Sequence, residues 1–357
     1  IDGTGSPARG PMDIVIEGNR ITGIHSVGAP GTPINESVRP KAAEGATELD
    51  LSGHYVLPGF VDLHGHLGGS IRETPAESVL KLWMGHGITT ISDPGSGNGV
   101  EWTLDHKQRS EANEITAPRI EVYSAFGQDS EGPITNAEEA RDWVRMTADR
   151  GADGIKFFGA RPDIMGAAID EAGKVGLLTT CHHAQTNVVW QNALDSARMG
   201  LTSMQHWYGL PEAMFEGQLV QSYPVDYDYN NEQDRFSEAG RLWKQAAKPF
   251  GVKWNEVMNE MVSLDFTIVP TFHAYEATRD LSRMMRAEWH EKHTLPALWR
   301  FYLPDRLAHA SYWFYWGTEE EVAWKENYKL WMTFINEYKN RRGRVAVGSD
   351  SGYSFNL

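Results

Sequence analysis

The sequence predicts an α/β protein whose main body is an eight-stranded barrel, and three observations carry that prediction. From Leu63 onward strand-like and helix-like segments alternate, as a parallel sheet with helical crossovers requires. Eight β-type runs are present: Tyr55–Leu63, Ile88–Asp93, Arg119–Ser124, Gly154–Phe158, Leu177–Cys181, Thr202–Gln205, Phe266–Pro270 and Val345–Gly348. The 357 residues exceed one average domain but accommodate one such barrel, commonly about 250 residues or more, with a small appendage.

Residues 1–54 read as a separate small β unit. Asp13–Ile24 carries two short β-type runs around Gly18-Asn19, a hairpin signal, and a Pro- and Gly-rich loop from Gly28 to Pro40 leads to Glu48–Leu51. The first barrel strand is apolar, is entered through Pro58-Gly59 and runs into His64 and His66. Later strands are joined by helical stretches. Ala137–Arg150 opens after Asn136, a good N-cap, and Pro162–Val175 is stopped by Gly176. A helix-length segment, Asn187–Met199, leads through Gly200 to the sixth strand. Two long connections interrupt the alternation. Residues 208–234 form an acidic, aromatic loop containing Tyr223, Tyr227 and Tyr229, and residues 273–317 form another that ends in His309–Trp316. Core packing accounts for most of these aromatics, yet long insertions on the catalytic face of a barrel are also where lids and pocket walls are found.

The net charge of −15 opposes nucleic acid or an anionic membrane as the main partner, because the long-range field repels both. No apolar run approaches the roughly 18 residues of a membrane span. The lone Cys181 excludes an intrachain disulfide framework, and cytoplasmic and periplasmic locations both stay open. The chain opens on Ile1-Asp-Gly-Thr-Gly with no basic or apolar leader, so a signal peptide is either lacking or lies upstream.

Barrel enzymes place their chemistry at the carboxyl ends of the strands. In chain order those ends carry His64 and His66, Lys156, His183, His206 and Asp350. Side chains two apart on a strand share a side, so His64 and His66 reach one ion together, and Gly65 between them lets backbone approach closely. A lysine within a β run is usually an exposed edge residue, but a strand buried on both faces offers Lys156 no exposed side. His182 and His183 are adjacent and point to opposite sides, so one of them at most faces the site.

The lead Leu57-Pro-Gly-Phe-Val-Asp62 before His64-Gly-His66 resembles the amidohydrolase superfamily, and the later strand ends follow its order. The imidazolonepropionase-like and Xaa-Pro dipeptidase-like group is the nearest branch. The resemblance implies a distorted (β/α)8 TIM-like barrel over residues 55–357 and a small, partial N-terminal β-sandwich over residues 1–54, normally completed by C-terminal strands. The superfamily pattern of histidine, alanine and a polar residue matches His183-Ala184-Gln185, which leaves His182 a packing or supporting role. By the same resemblance His64, His66 and Asp350 hold one divalent ion and His183 and His206 a second, zinc or a similar first-row metal. Lys156, carboxylated by carbon dioxide, bridges the two with a hydroxide; a buried amine with a lowered pKa is the form that takes up carbon dioxide.

The implied activity is hydrolysis of an amide or peptide C–N bond in a dipeptide or N-acyl amino acid. The bridging hydroxide attacks the carbonyl and Asp350 passes its proton to the leaving nitrogen. Tyr208 and His273 are candidate substrate contacts, and His273 could also polarise the scissile carbonyl. Cyclic amide opening or deamination is the alternative, and a catalytically inactive scaffold is the alternative of another class. Small-molecule substrates and a homo-oligomer are expected. A barrel ending after its eighth strand leaves apolar strand faces uncovered; some hundreds of Å2 at about 25 cal/mol per Å2 cost several kcal/mol. Further polypeptide after Leu357, supplying a helix and several strands, is therefore expected.

Overall fold

A computed structural model describes residues 1–70, 74–305, 309–352 and 355, and the chain divides into two compact units, Ile1–Phe60 and Val61–Leu357. Residues 306–308 of the second long connection, and the expected continuation at Leu357, lie outside the described residues.

In the smaller unit β1 (Met12–Glu17) and β2 (Arg20–Ser26) pair antiparallel, with Ile14 opposite Ile24. The Gly18-Asn19 turn sits where the sequence predicts it, and Gly18 takes the positive φ of 60° that a tight hairpin demands. Arg39 grips Asp13 through two hydrogen bonds of 2.8 and 3.2 Å, tying the loop to the hairpin.

The sheet is then built by β3 (Phe60–Asp62), α1 (Ala76–Gly85), β4 (Ile88–Pro94), α2 (Val100–Glu111), β5 (Arg119–Ala125), α3 (Ala137–Asp149), β6 (Gly154–Phe157), α4 (Pro162–Val175), β7 (Leu178–Cys181), α5 (Ala193–Arg198) and β8 (Ser203–Gln205). After β8 come α6 (Leu210–Ala213), α7 (Glu232–Ala239), α8 (Val252–Ser263), β9 (Thr267–Val269), α9 (Phe272–Arg279), α10 (Leu281–Met284), α11 (Trp289–Lys292), α12 (Pro296–Tyr302), α13 (Thr318–Asn340) and β10 (Arg344–Val345). Strands β3 to β10 lie side by side in chain order, and β4 to β10 pair in parallel with successive neighbours. The two ends of the sheet meet: Leu63 N–H donates to Val347 C=O at 2.9 Å and Asp350 N–H to His64 C=O at 2.6 Å. A curled parallel sheet whose ends join in this way fits a TIM-like barrel.

Alternation along the strands divides inside from outside. Ile155, Phe157, Cys181, Met204 and Ile268 are fully buried in the core formed with Trp143, Met165, Leu194, Met258 and Trp331 of the surrounding helices. The intervening residues, Lys156 and Thr180 among them, therefore face the barrel interior. The helix signals act as read: Asn136 accepts from Glu138 and Glu139 N–H at the start of α3, and Gly176 ends α4 at φ 81°.

Several segments differ from expectation. The first strand is confined to Phe60–Asp62, and Tyr55 and Leu57 are exposed, because Pro58 cannot donate to a ladder. The helix expected over Asn187–Met199 is only α5, since Asn192 and Asp195 form a capping box that starts it at Ala193. Residues 273–317 hold short helices rather than one loop, and Ala277, Met284, Leu298, Tyr302 and Phe355 bury a satellite core of their own. Among the described residues no helix is long and apolar enough to cross a membrane.

Candidate metal centre

His64 follows β3, His206 follows β8 and Asp350 follows β10, and one ligand atom from each lies within 4.8 Å of the others. His64 Nε2 is 3.7 Å from Asp350 Oδ1, and His66 Nε2 is 3.0 Å from the same oxygen. The imidazole rings of His64 and His206 stand 4.8 Å apart between centroids. Lys156 is buried on the same interior face, its Nζ 5.5 Å from the centre of the Phe158 ring. A Cβ at Gly95 would come within 3.4 Å of the Lys156 side chain, so this glycine leaves room for the lysine stem.

Each ligand candidate is held by a second group. Gln205 Oε1 lies 2.7 Å from His64 Nδ1, Asp93 Oδ1 3.3 Å from His66 Nδ1, and Thr271 Oγ1 2.6 Å from His206 Nδ1. Asp62 accepts from His64 N–H at 2.8 Å and from Ser349 N–H at 3.1 Å, joining the first and last strand ends. The non-glycine residues His206, Thr271 and Asp350 all adopt left-handed backbone, φ 63°, 48° and 54°. Such conformations cost roughly 1–2 kcal/mol each and persist only where surrounding contacts enforce them.

Burial holds the His64 imidazole down to about 3, against the opposing pull of Asp350. Burial, with the neighbouring His182, likewise keeps His206 well below the ordinary range. Both rings are therefore neutral at pH 7, each with one nitrogen carrying a lone pair. For His66 burial also disfavours the charge, but its hydrogen bonds to Asp350 and Asp93 outweigh that and raise it to about 9. Burial would raise Asp350, yet His64 and hydrogen-bonded His66 hold the carboxyl well below the usual range. Burial lowers the Lys156 amine to about 8, partly offset by Asp350. Neutral imidazoles around an ionised carboxylate are the donor set that first-row divalent ions take.

Of the residues named from sequence, His64, His66, His206, Asp350 and Lys156 come together at the interior strand ends. His183 does not join them. Its Nε2 lies 2.8 Å from Ser196 Oγ on α5, and its side chain lines a small cavity with Cys181, Met165 and Gln191 on the helix side of the sheet. His182 takes the interior position instead, its ring 4.6 Å from that of His206. The physical reason is the pleat: His182 N–H continues the ladder to Phe157 C=O and Ala184 N–H to Phe158 C=O, so His182 shares a face with Thr180, and His183 with Cys181. Tyr208 is buried with its ring 5.3 Å from His182. His273 sits in the first turn of α9, its Nδ1 3.8 Å from Glu276. The sequence reading also passes over Asp93, Gln205 and Thr271; strand-end position marks Asp93 and Gln205, whereas nothing local marks Thr271.

No protein-family model matches the chain. It is 28% identical to a dihydroorotase of Staphylococcus epidermidis over 193 residues, 52% of this chain and 41% of that protein. It is 29% identical to an imidazolonepropionase of Porphyromonas gingivalis over 120 residues, 29% of this chain and 27% of that protein. The chain thus spans less than half the length of either relative. The crystal structure of a Xaa-Pro dipeptidase with bound methionine in its active site shares the fold, with a TM-score of 0.57 at 16% identity over 99% of this chain and 78% of that one. Likeness in sequence to the dihydroorotase and the imidazolonepropionase agrees with the resemblance to the amidohydrolase superfamily carried by the strand-end motifs, and the fold is the one the Xaa-Pro dipeptidase shares.

Proposed function

We propose that the chain is a metal-dependent hydrolase of an amide or peptide C–N bond, with dipeptides or N-acyl amino acids as substrates. The convergence of His64, His206 and Asp350 within 4.8 Å carries the proposal. These residues, with His66, fit a divalent cation such as zinc, because two neutral imidazole donors and an ionised carboxylate meet where a free cation would otherwise be costly to bury. His182 rather than His183 is the seventh-strand donor we assign toward a second ion, its ring 4.6 Å from that of His206. The lowered amine of Lys156 supports its carboxylation: with a value of about 8, roughly a tenth is neutral at pH 7, on the order of a few hundredfold more than for an ordinary lysine.

Divalent ions held there would supply carbonyl polarisation and a hydroxide nucleophile at neutral pH. The chain's own residues do the rest. Asp350 Oδ1 takes the proton released by attack and returns it to the leaving nitrogen, and Asp93, 3.3 Å from His66 Nδ1, orients the His66 ring beside it. Tyr208, backed by Tyr275, whose hydroxyl donates to the Tyr208 hydroxyl at 3.4 Å, forms an aromatic wall beside His182. His273, with a side chain 34% exposed, is assigned to the polar end of the substrate. Ring opening of a cyclic amide is the second reading, supported by the sequence likeness to a dihydroorotase.

The test is metal analysis of purified protein with turnover on a panel of dipeptides, N-acyl amino acids and cyclic amides. About two ions per chain and turnover of the open-chain amides support the proposal. No bound divalent ion, or turnover of none of the panel by the metal-loaded protein, overturns it.

A further inference from the structure

We propose that Gln205 is a positioning residue that locks His64 in the tautomer protonated at Nδ1, presenting the Nε2 lone pair to a divalent cation. The inference rests on the reading that His64, His206 and Asp350 hold such an ion.

The argument is one of donors and acceptors. Gln205 is the last residue of β8, is 2% exposed, and reaches across the barrel interior. Its Oε1 lies 2.7 Å from His64 Nδ1, while its Nε2 donates to Thr180 Oγ1 at 3.0 Å and to the Leu63 carbonyl at 3.5 Å. A backbone carbonyl only accepts, so the amide NH2 must face Leu63. Turning the amide round would set two acceptor oxygens against each other in a buried site and leave the donor on a ring nitrogen that would then have to accept. The Oε1 therefore accepts, and His64 Nδ1 must carry the hydrogen. A neutral imidazole has one such hydrogen, which leaves Nε2 bare, 3.7 Å from Asp350 Oδ1. The other nitrogen of a metal-ligating histidine is generally held by such a partner, and losing that partner typically lowers metal affinity ten- to hundredfold. Thr180 is itself fixed, accepting from Ser203 Oγ at 2.9 Å, so the ends of β3, β7 and β8 share one hydrogen-bonded brace.

The experiment is 15N NMR of histidine-labelled, metal-free protein, with the His64 signals assigned by their loss in His64→Gln, together with zinc titration of three proteins. In wild type, His64 should show a protonated Nδ1 and an unprotonated Nε2. Gln205→Glu keeps the acceptor toward His64 Nδ1 and should keep the tautomer, although its second oxygen loses the bonds to Thr180 and Leu63. Gln205→Met keeps the length and apolar bulk but cannot accept; it should give mixed tautomers and bind zinc ten- to hundredfold more weakly. A protonated Nε2 in wild type overturns the inference, and that measurement does not depend on any variant folding. So does Gln205→Met with the native tautomer and native affinity. Failure of wild type to bind zinc would sink the proposed function, while the NMR result would still judge the role of Gln205.

Discussion

The sharpest prediction separates two adjacent histidines. His182→Leu removes a ring that stands 4.6 Å from His206 inside the barrel, whereas His183→Leu removes one bonded to Ser196 on the helix side. If His182 is a metal donor, its loss should cost more than the ten- to hundredfold typical of a mere supporting partner. We expect kcat/KM to fall by at least about a hundredfold, or about 2.7 kcal/mol, with loss of close to one ion per chain. Its effect on metal-free stability should be small, since the ring is neutral and leucine fills much of the same space. His183→Leu should behave in the opposite way. It leaves the buried Ser196 hydroxyl with one partner fewer, at a cost of roughly 1–3 kcal/mol, seen as a drop of a few degrees in Tm. Metal content and kcat/KM should stay near native. Metal analysis, kinetics and calorimetry on the two variants decide it. An active His182→Leu with full metal content, alongside a metal-depleted His183→Leu, would refute the strand-alternation argument.

Lys156→Ala should lose most activity and recover part of it when a short carboxylic acid replaces the bridging group; lack of any recovery, with unmodified lysine in the wild-type mass spectrum, would remove the carboxylated bridge. His66 titrates at about 9 in the metal-free protein against 6.5 when unfolded, so its stabilisation is complete below pH 6.5 and is lost as pH rises. Its contribution to the Tm of the metal-free protein, read as the difference between wild type and His66→Gln, should therefore fall between pH 6.5 and 9, opposite in sense to His64, His206 and Lys156, which burial lowers. Metal uptake at pH 7 should release the His66 proton, visible as buffer-dependent binding enthalpy in titration calorimetry. Finally, Asn192→Ala breaks the capping box of α5 and should cost about 1 kcal/mol in denaturant unfolding with little change in metal content.

Local chemistry made much of this protein legible in the sequence. Strand runs, the Asn136 cap, the Gly176 stop and the Gly18-Asn19 turn are set by residues within a few positions of one another, and apart from the shortened first and last barrel strands the structure forms them where the sequence places them. The strand-end histidines, Lys156 and Asp350 could be picked out because a barrel delivers its strand ends to one face whatever the sequence between them. Tertiary structure decided the rest. Whether His182 or His183 faces inward depends on the phase of the pleat, which is set by pairing with β6 and not by the motif around the pair. The partners Asp93 and Gln205 lie on other strands from the histidines they hold, and Thr271 lies just after another strand, so only the assembled sheet brings them into hydrogen-bonding distance. The short helices after β9 form because their apolar side chains find one another in a satellite core, a packing effect that no window of sequence displays.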